Sequence, residues 1–323
     1  MKWLERLVTR SRPYLLLELW LKRLKLPGYE IPIYNIVVFF FKEIRRESIN
    51  VKATSLAFNF LLAIFPAIIF LFTLIPYIPV TNFQEELLQL LAELLPTNAF
   101  EAAKTTLMDI IKIKNGELLS VGFLLALFFS TNGVYSLMNA FNKTSLVQET
   151  RTGIKKRIIA TMLTFMVSLV VITGVTVLVV GEYIIGYLQT KEITSWLPLF
   201  QLLFLIRWIV IFGLFFTAIS LLYYYGPATV KRWRFLSAGS LLATFLAIAT
   251  SIGFSYYINN FGQYNKLYGS IGTLIVIMIW LYVNSLIILV GFELNASIDI
   301  SKRTFVPPPP PPQRNKLKEI PEL

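Results

Sequence analysis

The chain has 323 residues, of which 56% are apolar and only 15% charged, against about 25% charged in an ordinary soluble domain. With a mean hydropathy of +0.66, this composition excludes a water-soluble globule and points to an integral membrane protein. There is no His and no Cys, which removes disulfides, zinc sites of the Cys or His type, thiol nucleophiles and imidazole bases. No metal and no cofactor is expected.

Residues 1–52 form a basic arm. Trp3, Leu4, Leu7 and Val8, then Leu15, Leu16, Leu19 and Trp20, alternate with Lys and Arg and are interrupted at Pro13 and Pro27. This is the pattern of short amphipathic interfacial helices; a signal peptide would need a small-residue cleavage site after its apolar core. Ile33–Phe41 is apolar but too short to span. It is followed by Lys42, Arg45 and Arg46, which predicts a lead-in helix, lying along the inner surface or packed on the end of the bundle.

A hydrocarbon core of about 30 Å takes about 20 apolar residues as helix, and stretches free of charge apart from Arg207 in the fourth predict six spans. They are 55–78, 118–142, 158–181, about 199–225, about 236–258 and about 269–292. None shows the alternation of a barrel strand. The fold class is therefore all-α: a polytopic bundle of six transmembrane helices occupying residues 53–298. Residues 81–114 are the sizeable polar excursion. Leucines recur there at helical spacing between Glu85, Glu86 and Glu93, and Pro96 divides the stretch into an outer helical hairpin. Residues 299–323 are a tail with six consecutive prolines at 307–312, expected to be disordered apart from the polyproline helix.

Orientation follows from Lys and Arg. Of the 30 basic residues, 24 lie in the arm, the tail and the loops after the second and fourth spans, and five lie in the opposite loops. Both termini are thus predicted to be cytoplasmic. The net charge of +12 reads as an insertion signal and a contact with anionic lipid headgroups, with no nucleic-acid partner.

Within the spans, Pro66 bends the first by freeing the carbonyl of Leu62. Asn59, Ser130, Asn132, Asn139, Trp280 and Asn284 are polar or amphipathic positions at membrane depth. Polar groups there need partners; with Pro66 they either line a cavity or join helices. Glu182, Arg207 and Glu293 are the ionisable residues at span depth and are candidates for transport or coupling. Arg207 is expected to pair with Glu182 or to snorkel to the outer interface. Gly239, Ala243, Ala247, Ser251 and Ser255 form a stripe of small residues suited to close helix packing. Tyr268, Gly269, Ser270 and Gly272 are placed at the start of the sixth helix. There they form either a backbone anion site or an ordinary cap with an aromatic belt.

Three stretches carry a family resemblance. One is Ala53, Leu56 and Ala57 followed by Phe65–Pro66, and another runs from Pro227 through Trp233 to Gly239. The most specific is Tyr268-Gly269-Ser270-Ile271-Gly272, then Trp280-Leu281-Tyr282, then Gly291-Phe292-Glu293-Leu294-Asn295. Over about residues 35–298 the chain resembles the YihY/BrkB family of multi-pass membrane proteins, once labelled ribonuclease BN. Where relatives commonly have Pro-Gly-Ala, it reads Ser237-Ala238-Gly239. The resemblance implies a six-helix inner-membrane fold with cytoplasmic termini, a place in virulence or envelope function, and transport of lipids or other amphiphiles. It supplies no catalytic residues. The functional expectation is a transporter or exporter of an amphiphile, since no charged binding cluster is visible in the spans, with ion-coupled antiport as a variant. The alternative is a non-catalytic scaffold for envelope assembly. A homo-oligomer or an envelope protein partner fits either. RNA cleavage, which needs His or clustered carboxylates around a metal, does not fit the residues, and no enzyme is expected.

Overall fold

The computed structural model describes residues 19–24, 32–46, 48–74, 116–142, 149–190, 197–228, 234–260 and 263–304. Seven helices of a turn or more beyond the short stretch at 19–23 are seen among them: α1 (Ile33–Arg46), α2 (Ile49–Leu74), α3 (Gly116–Phe141), α4 (Gly153–Thr190), α5 (Leu197–Tyr225), α6 (Ala238–Asn260) and α7 (Gln263–Thr304). Helices α2 to α7 are each long and apolar enough to cross a membrane. The first part of the arm, the hairpin at 81–114 and the tail from 305 lie outside the described residues.

Several helices outrun their predicted spans. At 1.5 Å per residue, the 38 residues of α4 extend about 57 Å and the 42 of α7 about 63 Å, roughly twice a bilayer core. Both therefore continue as helix beyond the apolar segment. Three expectations change as a result. The 52/53 boundary falls inside α2 and the 298/299 boundary inside α7, so residues 299–304 are helical rather than disordered tail. Glu182, just past the predicted span end at 181, lies within α4, eight residues before the helix ends. Gly269, Ser270 and Gly272 lie within α7, past its first turn. Their N–H groups belong to the helical ladder, so the free-backbone anion site does not exist.

The chain divides into two units, Glu47–Glu293 and Met1–Arg46 with Leu294–Leu323. In the smaller, the Lys22 ammonium sits 4.9 Å from the centre of the Tyr34 ring, and the Ile33 N–H donates to the Leu24 carbonyl at 2.9 Å. Asn295, Ala296, Ser297 and Ser301 are buried, and Arg303 pairs with Asp299 one turn earlier at 2.9 Å.

In the larger unit, glycines set the closest helix contacts, because contact packing replaces hydrophobic drive between helices in lipid. Gly122 of α3 faces the backbone of Phe70 on α2, and Gly133 faces the Phe60 ring; the opposite run of the two pairs makes α2 and α3 antiparallel. Gly174 of α4 accommodates Leu214 of α5. Pro66 is buried within an unbroken α2. Burial gathers at the end carrying the α3–α4 and α5–α6 loops, at Leu137, Met138 and Phe141, at Ala160 and Leu163, at Ile219 and Leu222, and at Ala243. Toward the other end Leu124, Leu169, Val175, Phe204 and Ile209 are exposed. Exposure of that many large apolar side chains suits lipid contact rather than water.

Candidate functional site

A close three-helix contact in the larger unit lies at Gly291 on α7. A methyl group there would stand 2.5 Å from the Tyr223 hydroxyl, 2.6 Å from the Gly239 carbonyl oxygen and 2.8 Å from the Ala243 Cβ. Three helices thus meet at a residue without a side chain. Tyr223 of α5 donates its hydroxyl to the Ile288 carbonyl at 2.6 Å. It thereby ties α5 to the backbone of α7 one turn before Phe292. Phe292 stacks on Phe141 of α3, with centroids 4.2 Å apart and planes within 9°, and Tyr223 meets both rings edge-on. Ser237 caps α6: its hydroxyl accepts the Ser240 N–H at 3.2 Å, as an N-cap Ser does.

Next to this corner, side chains tie the two loops together. The Asn142 amide donates to the Glu149 carboxylate, and its oxygen accepts the Ala228 N–H at 2.8 Å. Arg151 holds Glu149 with two guanidinium contacts, 2.8 and 3.0 Å, and donates to the Gly226 carbonyl at 2.8 Å. The α3–α4 loop is thereby clamped to the α5–α6 loop at 226–228. Partial burial raises the Glu149 pKa, but the hydrogen bonds and charge of Arg151, with the charge of Lys156, outweigh it, and the carboxyl titrates below its ordinary range.

The third feature runs along the seam between α3 and α4. Phe128, Asn132, Tyr135 and Asn139 recur at i, i+4, i+7 and i+11, which is one helix face. Lys156 donates to the Asn139 oxygen at 2.7 Å, and Arg157 donates to the Asn132 oxygen. Both cations also lie over the Tyr135 ring, at 4.7 and 5.6 Å, and Arg157 is 5.2 Å from the centre of Phe128. The seam is thus a cluster of two positive charges with neutral and aromatic partners, at the entry to the predicted third span.

The sequence profile of the family described as Virulence factor BrkB matches residues 40–316. The chain belongs to the BrkB family. Among relatives, a putative ribonuclease-like protein of Bacillus subtilis (strain 168), YfkH, is 31% identical over 78% of this chain and 90% of its own length. A UPF0761 membrane protein of Haemophilus influenzae (strain 86-028NP), NTHI0384, is 23% identical over 83% of this chain and 97% of its own. No solved structure matches. In this BrkB-family chain the Gly291-Phe292 pair that carries part of the resemblance is the three-helix contact described above.

The polar positions singled out from sequence separate into groups. Asn132 and Asn139 meet in the α3–α4 seam, with Ser130 half-buried nearby on the same helix. Asn59 and Asn284 are half-buried and donate to carbonyls of their own helices, Ser55 at 2.8 Å and Trp280 at 2.9 Å. Glu293 is buried. Arg207 is exposed on α5, and the side chain of Glu182 lies outside the described residues, as do those of Tyr268 and Ser270. Of the small-residue stripe, Gly239 and Ala243 meet Gly291, Ala247 is buried, Ser251 is half-buried and Ser255 is exposed. Sequence reasoning missed Glu149 and Tyr223, and treated Arg151, Lys156 and Arg157 only as orientation charges. The signal for the seam was present: an Asn-x-x-Tyr-x-x-x-Asn face in one span and a Lys-Arg pair opening the next.

Proposed function

We propose that this BrkB-family protein transports a lipid or other amphiphilic envelope molecule across or out of the cell membrane, with both termini in the cytoplasm. The observation that carries the reading is the α3–α4 seam. Lys156 and Arg157, at the start of α4, are turned onto amide oxygens and an aromatic ring of α3 rather than onto acids, and cations drawn toward a membrane span mark functional paths. The apolar faces of α3 and α4 beyond the seam are exposed, which gives a hydrocarbon tail a route beside a polar head.

The ribonuclease-like name of the Bacillus relative does not transfer on the residues. The chain has no His or Cys to serve such chemistry. The test is reconstitution of the purified protein into liposomes carrying a fluorescent phospholipid in one leaflet. Faster transfer or release than in empty vesicles is expected; equal rates would overturn the reading.

A further inference from the structure

We propose that Lys156 and Arg157, with Asn132, Asn139 and Tyr135, form a binding site for a phosphate group carrying net negative charge, as in an anionic phospholipid headgroup. This rests on the transport reading for its role, but the binding argument stands on the seam itself.

Donor arithmetic comes first. An ammonium has three N–H donors and a guanidinium five in a planar fork. Lys156 gives one to Asn139 and Arg157 gives its Nη1 to Asn132. After these two bonds Lys156 retains two ammonium N–H groups and Arg157 four guanidinium N–H groups, which are shared between the neighbouring rings and an incoming anion. Next is charge. Lys156 and Arg157 are adjacent in sequence and share one ring, so they repel unless something negative lies between them. Among the described residues Glu149 is a carboxylate whose field couples to Lys156, and that group is held by two guanidinium contacts from Arg151 and by Asn142. Neutral oxygens position the pair without neutralising it, as a site for an incoming anion requires.

Direction is the third element. Arg157 lies four residues into α4, about 6 Å of rise, whereas Asn132 lies nine residues before the end of α3, about 14 Å of rise. With the two helix ends joined by a loop, the guanidinium reaches toward the middle of the span. A snorkelling Arg reaches the opposite way. From Asn139 to Phe128 the face of α3 rises about 16 Å, passing from the amide–ammonium contact to an exposed aromatic ring. A polar head at one end and an apolar track leading away from it match an amphiphile better than a free ion.

The experiment uses the full-length, delipidated protein in detergent, with binding read by native mass spectrometry. The probes are phosphatidylglycerol, phosphatidylcholine and inorganic phosphate. Wild type is expected to retain phosphatidylglycerol at least about tenfold more strongly than phosphatidylcholine, and K156Q/R157Q to lose that preference, as the loss of charge-assisted hydrogen bonds implies. K156R/R157K, which keeps the charge, should keep most of it, and Arg234→Gln, at an exposed basic residue of the other loop, should leave it unchanged. Retention of inorganic phosphate in place of lipid, lost in K156Q/R157Q, would support the site and assign it to a free phosphate group.

Binding unaltered in K156Q/R157Q, equal loss in Arg234→Gln, or no binding of any probe would overturn it. A photoreactive phosphatidylglycerol on the unsubstituted protein makes the result independent of variant folding. Labelling within 128–139 or 153–161 supports the site, and labelling elsewhere overturns it. Liposome flux that survives in K156Q/R157Q while the phosphatidylglycerol preference is lost would overturn the site's part in transport and leave both the binding site and transport standing. Specific binding without flux in wild type would leave the site and overturn transport.

Discussion

Replacing Gly291 by Ala tests the three-helix contact directly. The added Cβ would stand 2.6 Å from the Gly239 carbonyl oxygen, about 0.8 Å inside the 3.4 Å at which ordinary contact begins, and 2.8 Å from the Ala243 Cβ. The first obstacle is backbone, so no rotamer change relieves it, and α6 and α7 must separate. Overpacking of this kind costs about 1–3 kcal/mol. The propensity gain of Ala over Gly, about 1 kcal/mol in a helix, opposes it but applies equally at Gly213 and Gly253, which have open space around them. Gly213→Ala and Gly253→Ala should therefore unfold at or above the wild-type temperature and Gly291→Ala several degrees below it. The assay is the apparent Tm of detergent-purified protein at a fixed scan rate, since unfolding of such proteins is often irreversible. Combining Gly291→Ala with Tyr223→Phe removes the hydroxyl at 2.5 Å but not the Gly239 oxygen, so recovery should be partial and the two changes non-additive. If Gly291→Ala is as stable as Gly213→Ala, the close approach of α5, α6 and α7 is wrong.

Four further outcomes follow from the same contacts. Phe141→Ala removes a fully buried ring stacked on Phe292 and should cost about 3–5 kcal/mol, read as a large drop in apparent Tm, with Phe141→Leu intermediate. Asn142→Ala takes away the acceptor of the Ala228 N–H, so peptides covering 226–228 should exchange hydrogen faster while those in α2 do not change; equal exchange would contradict the clamp. The Glu149 pKa is lower folded than its unfolded value of 4.5, so its contribution to stability is complete above that pH and is lost as pH falls through the folded value. Wild type should lose stability below pH 4.5 more steeply than Arg151→Gln, and parallel curves would refute the pairing. Because the chain has no native Cys, single thiols report topology cleanly: Arg234→Cys should react with an impermeant maleimide only after permeabilisation of cells, and Glu117→Cys before it; the reverse pattern would invert the orientation.

The existence of the six membrane helices was legible from sequence because crossing about 30 Å of hydrocarbon is a local demand. A run of uncharged residues meets it whatever its neighbours do. Helix ends were less legible. Hydropathy marks where lipid stops, not where hydrogen bonding stops, so α7 begins at Gln263 and carries Gly269 and Gly272 inside it. The family stretch at Gly291-Phe292-Glu293 was visible, but its meaning was not. That Gly291 admits the Gly239 carbonyl and the Tyr223 hydroxyl depends on how α5, α6 and α7 are rotated about their axes, which hydropathy does not encode.

The same limit applied to charge. The sequence by itself determined that these are membrane helices and how their basic residues are distributed along the chain. It also put Asn132, Tyr135 and Asn139 on one face of their helix. Only the tertiary structure decided that Arg151 serves the loop clamp while Lys156 and Arg157 turn onto that face. The physical reason is that span length and face are set by one helix's own residues. The partner of a charge is set by which neighbouring helix presents an oxygen within hydrogen-bond reach.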